Sequence, residues 1–147
     1  MPKEVFKVMP SVYLIVKNKN KVLLSLRKNT GYMDGYYSLV AGHVDGNEPA
    51  TFACIREAME EAGMNLKTDE IHPSCIIHRL TTELECIDIF FIIENYTGNF
   101  ENKEPNKCGE LKYFDLDDLP NNTIDYIKVG IKNSLNGKFY CEYGFNM

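Results

Sequence analysis

A chain of 147 residues with 44% hydrophobic and 25% charged side chains has globular composition and enough length for a proper core, which excludes a disordered chain. Its formal charge of −5 argues against binding duplex nucleic acid through counterion release, so a phosphate-bearing partner needs a cation beyond the side-chain balance. No apolar run approaches the roughly 18 residues that span a bilayer, the opening MPKEVFKVMP lacks the apolar stretch of a leader, and five scattered cysteines (Cys54, Cys75, Cys86, Cys108, Cys141) form no CxxC pair. Reduced thiols, no membrane and a cytoplasmic protein are therefore expected, with residues 1–147 as one domain.

In chain order, residues 5–18 place β-branched and aromatic side chains in near alternation, and VLLSLRK (22–28) follows the polar KNKNK, which predicts a hairpin. Residues 29–38 are loop chemistry, and YSLVAGHV re-enters as a short strand. Pro49 suits the first turn of a helix over 50–62, and Gly63 a C-terminal stop. Residues 70–82 and 85–96 read as two strands, 97–110 as a polar loop, and LKYFDL (111–116) as another strand. In 117–137, cap residues precede Ile124, Ile127, Ile131 and Leu135 at helical spacing, and the aromatic tail 138–147 is expected to pack on the body. Strands, helix, strands, helix predict an α/β or α+β chain, a mixed sheet flanked by helices.

The first helix ends in REAMEE (56–61). Glu57, Glu60 and Glu61 share an arc of about 100° on one face. Glu57 and Glu61 form a like-charge i,i+4 pair costing about 0.2–0.5 kcal/mol, and carboxylates in the last turn oppose the helix dipole. A solvated face, with Arg56 paired to Glu60, is the plain reading and leaves Glu57 and Glu61 uncompensated. A hard divalent cation, which takes several oxygen ligands, is the other.

The context decides between them. GHVDGNEPATFACIREAMEEAGM (42–64) places Gly42, Glu48, Arg56-Glu57, Glu60-Glu61 and Gly63 at spacings that resemble the Nudix box of the Nudix hydrolases at every specified position. The order of strands and helices over most of the chain is similar to the MutT-like branch. The resemblance implies an α/β/α sandwich and a loop–helix–loop that holds Mg²⁺ or Mn²⁺. It implies Glu57, Glu60 and Glu61 as metal ligands, the Gly42 carbonyl as a further oxygen, and Arg56 with Glu48 as the brace between loop and helix. It also implies attack by water on an internal phosphorus of a pyrophosphate, with the cation activating water and neutralising charge. Val40-Ala41-Gly42 departs from the Pro-Gly-Gly of many relatives but keeps the glycine of the motif.

Other candidates have two readings each. Arg27, at the end of the second strand, is a surface salt-bridge partner or a grip for a substrate phosphate. Glu104 is a solvated loop carboxylate or, by its alignment with a MutT-like loop glutamate, an extra metal ligand or base. Asn122 falls near a base-reading asparagine of that branch, although a helix N-cap accounts for it without function. Tyr32, Tyr36 and Tyr37 are core aromatics or a stacking platform, and His78, Arg79 and Asp88 fall on strands expected to line the cleft.

The resemblance implies a small-molecule nucleotide substrate, most closely a (d)NTP cleaved to monophosphate and pyrophosphate. The downstream proline of ADP-ribose hydrolases and the tyrosine of dinucleoside polyphosphate hydrolases are both missing. An ADP-ribose or nucleotide-sugar hydrolase, a non-catalytic nucleotide-binding sensor and a partner-binding module stand as alternatives, and a homodimer is left open.

Overall fold

The first strand decides which side of the sheet each neighbour serves. In the computed structural model, which describes residues 3–146, β1 spans Met9–Asn18. Val12, Leu14 and Val16 enter one core, while Tyr13 and Ile15 enter another. Burial on both faces explains why VYLIV is continuously apolar where a half-exposed strand would alternate with polar residues. Residues 5–8, expected within the strand, lie outside it, and Val5 and Phe6 are exposed. The parallel partner of β1 reaches only the Met9–Cys86 pair, because a turn through Thr81–Leu84 begins just beyond.

The remaining strands are β2 (Lys21–Arg27), β3 (Tyr37–Ser38), β4 (Val40–His43), β5 (His72–Leu80), β6 (Glu85–Ile93), β7 (Cys108–Asp115) and β8 (Tyr140–Tyr143). The sheet runs β3-β2-β1-β6-β5-β8, with β4 on β1 and β7 on β2. It is mixed: β1–β6 and β5–β8 are parallel, and the other pairings are antiparallel. Helix α1 (Ala50–Ala62) packs Ala53, Cys54, Ala58 and Ala62 on one face. Helix α2 (Asp125–Leu135) packs Ile127 and Ile131 on the other, completing an α/β/α sandwich. Small residues on α1 let its axis approach the sheet closely. The helix stops where the sequence requires: Gly63 has φ 62°, and its N–H reaches back to the last-turn carbonyls.

Two further boundaries differ from the sequence reading. β7 begins at Cys108 inside the expected loop, because Cys108 pairs with Arg27 after a register shift in β2. α2 begins only at Asp125, since Thr123 closes a turn on the Pro120 carbonyl, and Asn122 is accordingly no cap; the N-cap position is Ile124. The tail packs on the body as strand β8 beside β5. No helix of the described residues is long and apolar enough to cross a membrane.

Candidate functional site

A cleft of about 910 Å³ opens between α1, the ends of β2 and β4, and the loops before β3 and β7. Glu57 and Glu61 line it from α1, Gly42 from β4, Arg27 from β2, and Glu104 and Lys107 from the loop between β6 and β7. Gly42 is a packing requirement. A Cβ there would run into the Glu57 carboxylate, so only glycine lets that carboxylate lie against the β4 backbone.

Arg56 joins the turn before α1 to the helix itself. Its guanidinium donates to Glu48 at 2.7 and 3.3 Å, to Glu57 at 2.6 Å and to the His43 carbonyl at 3.1 Å. Glu48 also accepts from the Asp45 N–H at 2.8 Å, and these bonds hold its carboxyl below the usual carboxylate range, Arg56 contributing most. The expected helix pairing to Glu60 is only a 3.7 Å contact, so Arg56 serves Glu48 and Glu57 first. Glu57 is thus compensated, contrary to the plain helix reading.

Glu61 is the carboxylate under strain. Desolvation pushes its carboxyl well above the usual range, and the negative charges of Glu57 and Glu104 push it further. Its one backbone donor, the Ala41 N–H, is 3.5 Å away, too long to offset the repulsion. Glu104 reaches this neighbourhood through the chain: the Lys103 N–H donates to the Glu61 carbonyl and the Glu101 N–H to the Ala62 carbonyl, docking the loop on the end of α1. Asn102 then fixes the Glu104 backbone N–H at 3.0 Å.

Glu60 sits apart. Its side chain is 55% exposed and does not border the cleft, so the shared arc of the helix surface does not bring all three glutamates to one point. Among the described residues no three His, Cys, Asp or Glu side chains form a ready metal cluster. The donors nevertheless fit a hard divalent cation. Glu57 and Glu61 bring carboxylate oxygens to the same cleft, and the Glu61 carboxyl, raised first by desolvation and then by its neighbour Glu57, is a place where a cation would favour the charged form.

Of the other candidates, Arg27 borders the cleft but spends Nε on the Tyr32 carbonyl (2.7 Å) and Nη2 on the Thr30 hydroxyl (3.1 Å), shaping the loop before β3. Asn122 does not border the cleft; its amide donates to the Gly35 carbonyl at 2.8 Å and ties down that same loop. Tyr32 lines the cleft, whereas Tyr37 bonds Glu110 and packs on Phe114. His78 meets Glu85 at 2.7 Å, and the five cysteines are free. Sequence reasoning missed Lys107, Tyr13 and Tyr126 as cleft residues. The alternation of β1 could have flagged Tyr13, but nothing local marks the other two.

A family model described as "NUDIX domain" matches residues 7–131, most of the chain. The chain belongs to the Nudix family. It is a Nudix pyrophosphohydrolase by this match and by the intact box, and enzymes of the family generally work with a divalent metal on small nucleotide substrates. Solved structures agree on the fold. A MutT NUDIX hydrolase from Burkholderia pseudomallei superposes with TM-score 0.79 at 22% identity, covering 87% of this chain and 98% of that one. A NUDIX hydrolase from Nitrosomonas europaea gives 0.77 at 20% identity, covering 98% of this chain and 82% of that one. The NUDIX domain of Shewanella oneidensis NrtR, solved with ADP ribose, gives 0.71 at 15% identity, covering 90% and 89%. No curated protein matches the sequence.

Proposed function

We propose that the protein is a Mg²⁺-dependent, MutT-like hydrolase that converts a (d)NTP to the monophosphate and pyrophosphate. One observation carries the reading: Glu57, lying against the Gly42 backbone, and Glu61 line one cleft that also presents Arg27 and Lys107. Carboxylates for a cation and cations for phosphates suit a polyanionic substrate in a protein of net negative charge.

In this proposal Glu57, Glu61 and the Gly42 carbonyl would hold Mg²⁺ (or Mn²⁺), with Glu60 the further ligand from the rim of α1. The cation, when bound, supplies Lewis acidity toward the phosphates and makes water easier to deprotonate. Arg56 and Glu48 keep the turn and the helix in register, so that the Glu57 carboxylate stays on the cleft. Glu104, docked beside Glu61, accepts the proton of the attacking water at its carboxylate. Arg27 and Lys107 neutralise the substrate phosphates, while Asn122 acts only by tethering the loop that carries Tyr32. Residues 1–147 act as one domain, in a cytoplasm that keeps the five cysteines reduced.

The test is a panel of nucleoside triphosphates, ADP-ribose and nucleotide sugars with Mg²⁺, measuring monophosphate and pyrophosphate. ADP-ribose belongs in it because the Shewanella domain was solved with that ligand. Turnover of triphosphates with pyrophosphate as co-product supports the proposal. Failure of every triphosphate while ADP-ribose is cleaved would replace the substrate and keep the family.

A further inference from the structure

A second polar cluster on the cleft takes no part in the proposed hydrolysis. Arg79, on β5, is only 6% exposed, and arginine is rarely buried without a partner. Its Nε donates to Asp88 at 2.5 Å and its Nη2 to the other carboxylate oxygen at 3.3 Å. Asp88 is completely buried, so the pair is a fixed fork closed on the protein side. The guanidinium carbon lies 3.9 Å from the centre of the Tyr126 ring. Tyr13 meets Tyr126 edge-on at 6.0 Å, and the Tyr32 hydroxyl is 3.4 Å from that of Tyr126.

One donor remains open. Nη1 of Arg79 has no hydrogen-bond partner among the described residues, yet it is not sealed from solvent, and Arg79 borders the cleft. Water can accept from that donor in the free protein, so a ligand that displaces the water must itself supply an acceptor or leave the donor unsatisfied. Asp88 already balances the charge, so a phosphate brought here would add an uncompensated anion in a poorly solvated site. A neutral, flat group carrying an acceptor meets both conditions. Aromatic rings around the position favour a heterocycle.

We propose that Arg79 is a specificity-determining residue that takes the carbonyl oxygen of a keto-bearing nucleobase on Nη1, with Asp88 as the positioning residue that aims the fork. The inference rests on the nucleotide reading above and adds the class of base: guanine, hypoxanthine or uracil. An amino-bearing base would bring an NH₂ donor to the same place, donor against donor, and leave Nη1 unsatisfied.

Inosine and adenosine nucleotides differ at this point of the purine, carbonyl against amino, and provide the test. Binding of IMP and AMP is measured by calorimetry without divalent cation, and kcat/KM of ITP and ATP with Mg²⁺. The expected result is IMP bound at least about tenfold more tightly than AMP, with a similar ratio in kcat/KM carried by KM. Arg79→Met combined with Asp88→Asn removes the donor without leaving a buried charge, and the ratio should fall to within about twofold. Should that double variant not fold, Arg79→Lys keeps the charge but loses the planar fork, and its ratio should fall several-fold. Equal binding of IMP and AMP by the wild type, binding of neither, or a preference that survives these substitutions in folded protein overturns the assignment. Selective IMP binding without turnover of any triphosphate would instead strike the triphosphate as substrate and leave Arg79 standing.

Discussion

Gly130→Ala sets helix propensity against packing, and the structure decides which wins. Gly130 is a buried residue within α2, where alanine is worth about 1 kcal/mol more than glycine on propensity alone. A Cβ at this position, however, would enter the van der Waals envelope of the Phe90 ring. Phe90 is fully buried and stacks on Tyr13 at 4.9 Å, with 16° between the ring planes, so it has nowhere to retreat. Overpacking of this kind costs about 1–3 kcal/mol, and after the propensity gain a net loss of about 1–2 kcal/mol is expected at the upper half of that range. That lowers Tm by roughly 2–8 °C for a chain of this size, read by calorimetry. Phe90→Leu should recover part of the loss in the double variant, although as a single change it removes ring packing. Since Tyr13 lines the cleft, Gly130→Ala should also raise KM for the best nucleotide more than it lowers kcat. A variant as stable as the wild type or more so, with KM unchanged, would refute the reasoning.

Glu57→Gln and Glu61→Gln should each lower turnover by orders of magnitude, about a hundredfold or more, and excess EDTA should abolish wild-type activity; Glu60→Gln, at the exposed rim, should fall less far. Either cleft substitution retaining full activity would remove the carboxylates from the mechanism. Arg56→Ala should lower both thermal stability and Mg²⁺ affinity, with Arg56→Lys intermediate because an ammonium cannot serve Glu48, Glu57 and the His43 carbonyl at once; unchanged melting and unchanged Mg²⁺ titration would refute the brace. The raised Glu61 carboxyl binds its proton more tightly in the folded than in the unfolded chain. It therefore stabilises the metal-free protein fully below about pH 4, and that contribution is lost as pH rises through the folded pKa. Metal-free melting curves between pH 4 and 7 should show this decline, Glu61→Gln should flatten it, and an equal slope in the two proteins would contradict it.

The sequence alone determined what depends on neighbours along the chain. Helix α1, its stop at Gly63 and the two-faced apolar run of β1 follow from residue spacing and backbone preference, which act over a few positions. The spacing from Gly42 to Gly63 was legible for the same reason, since it is a local pattern and the family match covers it. Tertiary structure alone decided how the carboxylates divide. Arg56 turns to Glu48 and Glu57, Glu104 arrives through backbone bonds from another loop, and Glu60 is left at the rim. Asn122 shows the limit most plainly. Its sequence suits a helix cap, but a turn at Thr123 delays α2 and sends the amide to Gly35, a residue 87 positions away. The Arg79–Asp88 fork has the same origin: the β5–β6 pairing places the two on neighbouring strands, and α2 brings Tyr126 over the guanidinium. Periodicity specifies which face a side chain takes, whereas the partner waiting there is set by long-range pairing and the closure of the sandwich.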